Sequence, residues 1–216
     1  MTRALLIVDV QNDFTEGGAL GVAGGNAVAA GIAELLVGAT DSSGPAAGAS
    51  SGAAGAAASD AVASFGGYGL VVASRDWHEA DTDNGGHFAA PGADPDFVTT
   101  WPRHCVQGTP GAEYHPALPL DRIDVHVRKG AGEPAYSAFE GVAGDGRSLA
   151  DVLAERGVEA IDLVGIATDY CVRASALDAL AGGISVRLHT GLIAGVAPET
   201  SAAALRELAA AGVEIR

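Results

Sequence analysis

Short runs of aliphatic and β-branched residues recur along the chain, and segments with helical spacing separate them. Residues 4–10 (ALLIVDV), 70–76 (LVVASRD), 123–129 (IDVHVRK), 161–166 (IDLVGI), 185–190 (SVRLHT) and 213–216 (VEIR) read as six strands. Segments 25–39, 148–157, 169–183 and 198–212 place apolar residues three and four apart, as amphipathic helices do. In the last of these, Pro198 suits the first helical position and Gly212 a left-handed cap. Strands apolar on both faces and alternating with helices predict a doubly wound α/β fold: a mostly parallel six-stranded sheet in the order 3-2-1-4-5-6, with helices on both faces.

Two stretches break the alternation. Residues 38–60 (GATDSSGPAAGASSGAAGAAASD) have the composition of a flexible Gly/Ala/Ser insertion. Residues 77–122 carry four of the six histidines, both tryptophans and six of the nine prolines, and a loop of that length in one domain is usually functional. In doubly wound sheets ligands bind beyond the carboxyl ends of the strands. Strand one ends at Asp9, strand two at Asp76 and strand three at Lys129, and strand four runs into a helix whose first turn holds Cys171. Two carboxylates, an amine and a thiol are therefore expected along one edge.

Composition narrows the function classes. At 216 residues the chain is read as a single domain, 1–216, long enough to bury a core. Twelve Lys plus Arg against 27 Asp plus Glu give a net charge of −15, which argues against nucleic-acid and anionic-membrane partners. No segment has the apolar content of a membrane span. The start MTRALLIVDV lacks the apolar core and cleavage site of a secretory signal, and two cysteines, Cys105 and Cys171, are too few for a disulfide framework; a cytoplasmic location is expected. The abundant glycines form neither a Walker nor a Rossmann pattern, so no organic cofactor is expected. Eleven of the twelve basic residues are Arg; the exception, Lys129, points to a position that requires an amine.

The loop 77–122 supplies Asp76 at its root and His78, His87 and His104 within it. One carboxylate and three imidazoles suit a divalent transition ion, while the same residues are also compatible with a polar loop of exposed histidines. His115, His126 and His189 read as structural or solvent-facing. Cys171 is either a buried core thiol or a nucleophile whose thiolate is stabilised by the helix N-terminus and a lysine, with backbone N–H groups nearby to hold an oxyanion. In the expected strand order Asp9 comes close enough to Cys171 to exchange a proton.

Taken together, LLIVDVQNDF, RDWH, GGHF, WPRHCVQGTPG, KGAGEPAYSAF and GIATDYCVRASALDA resemble the nicotinamidases (pyrazinamidases) of the isochorismatase-like cysteine hydrolases, over nearly the whole chain. The resemblance implies Cys171 as nucleophile, Asp9 as proton shuttle and Lys129 as the supporting cation. It implies a metal held by Asp76, His78, His87 and His104, one divalent ion of the zinc, iron or manganese kind. It also implies a cis peptide between Ile166 and Ala167, an oxyanion hole at Ala167 and Cys171, and Phe14, Trp101 and Tyr136 around a heteroaromatic amide substrate. The implied reaction is hydrolysis of nicotinamide to nicotinate and ammonia through a Cys thioester. The alternatives are a carbamoyl-amide hydrolase, a metal-independent isochorismatase, and a non-catalytic binding module, which would be expected to have a broken triad. Three features depart from the family pattern: the 38–60 insertion resembles nothing in the family core, the stretch between His78 and His87 is longer than usual, which makes His87 the least secure ligand, and Tyr170 stands where members often have His. The oligomeric state, homo-oligomer included, stays open.

Overall fold

In the computed structural model, which describes residues 2–38 and 67–216, the apolar runs become the strands of a single sheet. The elements in chain order are β1 (Thr2–Val8), α1 (Gly25–Gly38), β2 (Leu70–Asp76), β3 (Val125–Lys129), β4 (Val142–Ala143), α2 (Leu149–Glu155), β5 (Val158–Ile166), α3 (Arg173–Ala181), β6 (Ser185–Ala194), α4 (Pro198–Ala211) and β7 (Glu214–Ile215). The sheet order is β4-β3-β2-β1-β5-β6-β7, parallel except where β4 pairs antiparallel with β3. The expected order holds for the six long-range strands. Among the described residues the strand count is corrected to seven, because β4 is a two-residue edge strand too short to leave a periodic signal. The insertion expected at 38–60 lies outside the described residues except for Gly38, the last residue of α1.

Side-chain alternation along β1 explains the two layers. Leu5 and Ile7 pack on the face covered by α1 through Val28, Ala29, Ile32 and Leu36, whereas Ala4, Leu6 and Val8 pack on the face of α2, α3 and α4. Every one of these strand residues is essentially inaccessible, so β1 is anchored from both sides and its carboxyl end is a fixed point for chemistry. At that end β5 passes unusually close. Gly165 has φ +121, and a Cβ there would fall 2.1 Å from the carbonyl oxygen of Val8. Beyond β2 the chain runs to β3 through the long histidine-bearing loop, which contains two short 3₁₀ turns and two bridges to itself, His78 with Val106 and Phe88 with Trp101. Among the described residues no helix is long and apolar enough to cross a membrane.

One buried charge lies away from the carboxyl edge. Asp162 of β5 accepts hydrogen bonds from Arg3 Nη1 (2.6 Å) and Tyr68 Oη (2.8 Å) and lies 3.0 Å from His189 Nε2. Burial alone would raise its pKa, but the hydrogen bonds from His189, Tyr68 and Arg3 outweigh burial and hold the carboxyl below its ordinary 3.8. A depressed folded-state pKa gives stability that is fully present above the unfolded value, about 3.9, and is lost as pH falls through the folded one. Asp162→Asn is expected to destabilise the protein by about 1–3 kcal/mol at neutral pH. The difference in melting temperature between parent and variant should narrow as the buffer is taken below about pH 4, and a constant difference would show that the charge is not what matters.

Candidate active site

The carboxyl ends of β1, β2, β3 and β5 meet as the topology requires. Asp9 follows β1 in a left-handed turn (φ 49), so the strand stops one residue short of the position expected from the sequence. Its Oδ1 accepts from Ser74 Oγ at 2.8 Å and its Oδ2 lies 3.0 Å from Lys129 Nζ. Lys129, at the end of β3, is paired in register with Asp76 of β2 and forms a close ion pair with Asp76 Oδ1. The same ammonium donates to the Ala135 carbonyl (3.1 Å) and approaches Cys171 Sγ at 3.6 Å. The carboxylate of Asp9 is near enough to the Cys171 thiol to push its pKa upward. All four groups are buried.

Cys171 does not sit in the first turn of a regular helix as expected. It lies in a five-residue π turn, Thr168–Val172, that precedes α3, with the N–H groups of Tyr170 and Val172 both donating to Ala167 O. The peptide between Ile166 and Ala167 is cis. Burial pushes the Cys171 thiol well above its ordinary 9.0; Lys129 pulls it down and the charges of Asp9 and Asp76 push it up again. Burial thus makes the thiol harder to ionise than a helix N-terminus and a lysine alone would leave it, and that lysine is shared by two carboxylates. Asp9 is raised by burial, against the pull of Lys129, which gives it the proton affinity a shuttle needs. Burial works against the charge of Lys129, but Asp76 and Asp9 prevail and keep it protonated. Asp76 moves the other way: despite burial, Lys129 and the two facing histidines hold it well below its ordinary 3.8.

The other oxygen of Asp76 faces the histidines. Its Oδ2 stands 3.6 Å from His78 Nε2 and 3.7 Å from His104 Nε2. His78, His87 and His104 each offer a ring nitrogen within 4.8 Å of the others, and all three are buried. His78 Nδ1 is bonded to the Gly130 carbonyl and His104 Nδ1 to the Pro102 carbonyl, both at 2.7 Å, which fixes each Nε2 as the free atom pointing inward. His78 Nε2 and both nitrogens of His87 are buried without a hydrogen-bond partner. His87 is kept neutral, its pKa pushed down to about 3 by burial first and by the neighbouring His78 and His104 next. Buried imidazole nitrogens left unpaired are costly unless something binds them. Two ligands about 2.1 Å from one tetrahedral ion stand about 3.4 Å apart. The residues present therefore fit a divalent metal, and His87 belongs to the set despite its long spacing from His78.

Next to these groups is a cavity lined by Asp76, His87, His104, Ala167 and Cys171, by the aromatics Phe14, Trp101, Tyr136 and Tyr170, and by Leu20, Val22 and Val196. All three aromatics expected around the substrate are in it. Trp101 Nε1 donates to Tyr136 Oη at 3.0 Å, Phe14 leans on His104 with 5.3 Å between ring centres, and Tyr170 stands edge-on to Trp101 at 4.9 Å. Cys105 is elsewhere, fully buried on the α1 face with its thiol unpaired, so no disulfide links it to Cys171. His115, His126 and His189 also lie outside the cluster.

The isochorismatase domain model matches residues 3–216. The chain belongs to the isochorismatase family. Within that family it is 44% identical over 213 residues to the nicotinamidase/pyrazinamidase of Mycobacterium tuberculosis, covering 99% of this chain and 97% of the relative. Among solved structures, pyrazinamidase of Pyrococcus horikoshii in complex with zinc is 35% identical with a TM-score of 0.74, covering 100% of this chain and 99% of that one. PnC1 from L. infantum in complex with nicotinate is 33% identical, also at 0.74, covering 100% and 92%.

Four residues that hold the isochorismatase site together left no signal on their own. Gln11 uses its whole amide at the root of the loop: Nε2 donates to the Asp76 and Ala112 carbonyls and Oε1 accepts from Asp76 N. Ser74 fixes Asp9 as described above. Asn84, buried, accepts from Glu79 N and Gly132 N and donates to the Glu79 carbonyl, folding the stretch between His78 and His87. Gly130 has φ +79, and a Cβ there would lie 2.6 Å from the His78 ring. Gly130→Ala is therefore expected to tilt His78 and lower metal affinity by about 10–100-fold, read by metal titration against a competing chelator. An unchanged affinity would show that the carbonyl contact does not orient the ring.

Proposed function

We propose that this chain is an amidohydrolase of the isochorismatase family that converts nicotinamide, and pyrazinamide-like heteroaromatic amides, to the acid and ammonia. The observation that carries the reading is that the Asp9–Lys129–Cys171 cluster and the group of His78, His87, His104 and Asp76 meet at one aromatic cavity, which Cys171, Asp76, His87 and His104 line. The Mycobacterium tuberculosis relative and the nicotinate-bound structure support the substrate class.

In this reading Asp9 takes the Cys171 proton as sulfur attacks the carboxamide carbon, and the oxyanion is received by the N–H groups of Ala167 and Cys171. Asp9 passes the proton to the departing ammonia, leaving an acyl group on sulfur. It then draws a proton from water, which adds to the thioester; collapse returns the thiol and releases the carboxylic acid. Lys129 stays protonated throughout and balances the charge of Asp9 as it changes. Phe14, Trp101 and Tyr136 sandwich the ring and exclude water. His78, His87, His104 and Asp76 would hold a divalent ion of the zinc, iron or manganese kind, which when bound supplies a Lewis-acidic anchor for a heteroaromatic nitrogen. Unpaired cysteines agree with a reducing compartment, and we place the enzyme in the cytoplasm.

The experiment is ammonia release by the purified protein from nicotinamide, set beside a carbamoyl amide and isochorismate, with elemental analysis of the same sample. Selective turnover of nicotinamide by metal-bearing protein is expected. Removing the metal with a chelator should weaken both binding of nicotinate and turnover, and an imidazole-compatible ion should restore both. Full activity in metal-free protein would overturn the role given to the histidines.

A further inference from the structure

We propose that Asp169 is a positioning residue for the nucleophile, locking the π turn that carries Cys171 to the start of α4; this rests on the assignment of Cys171 above. Ala197, the residue preceding α4, has the extended conformation of a helix cap (φ −137, ψ 145) but no side chain to cap with. The entry to the helix is instead tied down from 28 residues earlier. Asp169 Oδ1 accepts from Val196 N at 3.0 Å, and Oδ2 accepts from Ala197 N at 3.2 Å and from the Thr200 hydroxyl. A carboxylate is favoured at that end of the helix by the macrodipole as well.

The arrangement does more than finish a helix. Asp169 lies between Ala167 and Cys171, the two residues offered for the oxyanion hole, and Val196, whose N–H it holds, lines the same cavity. The segment before α4 approaches Asp169 tightly: a Cβ on Gly195 would come within 3.2 Å of Asp169 Oδ1. One carboxylate thus joins the nucleophile's turn, a wall of the cavity and a 14-residue helix. A local Ser or Asp at position 197 would stabilise the same end of α4 by capping its first-turn N–H groups and would do nothing for the turn. The exposed pair Arg173–Glu207, with Nε donating to Oε2 at 2.6 Å, links α3 to α4 independently and provides a control.

The test compares the parent, Asp169→Asn, the double variant Asp169→Asn with Ala197→Asp, and Glu207→Gln. The readouts are melting temperature, kcat and KM on nicotinamide, and the alkylation rate of Cys171 by iodoacetamide, located by peptide mapping. Asp169→Asn is expected to lower kcat by about tenfold or more with KM within about threefold of the parent, and to change the Cys171 alkylation rate by a comparable factor. The new local cap at 197 should restore the melting temperature but neither kcat nor alkylation, and Glu207→Gln should leave both near the parent's. Recovery of kcat and alkylation together with melting temperature in the double variant, or no change of either in Asp169→Asn, would reduce Asp169 to a brace of the helix entry and overturn the proposal. If Asp169→Asn yields no folded protein, Thr200→Val, which removes one of the three donors, is judged by the same readouts and criteria. A parent without nicotinamide turnover would remove the functional reading, while the alkylation rates would still decide the role of Asp169.

Discussion

Cys171→Ala is expected to abolish nicotinamide hydrolysis, lowering kcat by about 10⁴-fold or more, while nicotinate still binds with close to the parent's affinity. The side chain is the one nucleophile in the cavity, and its removal leaves Phe14, Trp101, Tyr136 and the histidine set in place. Cys105→Ala is the matched control. That thiol is fully buried on the other face of the sheet, so its loss creates a small void costing about 1 kcal/mol and leaves kcat near the parent's. Steady-state kinetics with calorimetric nicotinate binding checks both; an active Cys171→Ala or an inactive, folded Cys105→Ala would reverse the assignment.

Lys129→Arg is expected to lower kcat/KM by about 100-fold or more even though the charge is kept. The ammonium occupies a closed space among the Asp9, Asp76, Ala135 and Cys171 groups, and its side chain has no exposed surface. A planar guanidinium is larger and would have to displace one of these partners, and overpacking of this kind typically costs about 1–3 kcal/mol in addition. The displacement would not stop at the nucleophile. Asp76 shares one oxygen with Lys129 and turns the other toward His78 and His104, so metal content should fall together with turnover. Kinetics and elemental analysis of the folded variant read the two effects. Parent-like values for both would mean that this strand end tolerates any cation.

The way Lys129 stood out among eleven arginines shows which parts of the site were legible in the sequence. Asp9, Asp76 and Lys129 follow strands buried on both faces, and a parallel sheet brings its carboxyl ends to one edge whatever the side chains are. The strand order and the cavity aromatics followed from the same pattern and from the family resemblance. What periodicity does not carry is the partner of each group across the sheet. Asp76 read as a metal ligand only, and its second contact depends on the β2–β3 register that sets it opposite Lys129. The surroundings of the Cys171 thiol are hidden for the same reason: a sequence shows a nearby lysine but neither the depth of burial nor the two carboxylates that share that lysine. The π turn and β4 are too short to have a period, and the work of Gln11, Asn84 and Gly130 lies in contacts to distant backbone. His87 was placed by the fold of the loop around Asn84, not by its spacing from His78.

Hydrolysis of nicotinamide through an acyl group on Cys171 leaves that group on the protein for part of each turnover. Acid-quenching the metal-loaded enzyme during turnover of nicotinamide, followed by mass spectrometry of its peptides, tests it most directly. A nicotinoyl group is expected on the Cys171 peptide, absent from the Cys105 peptide and from the Cys171→Ala protein, and gone once substrate is exhausted. Steady release of ammonia and nicotinate, with the Cys171 peptide unmodified at every quench time and Cys171→Ala still turning over, would contradict it.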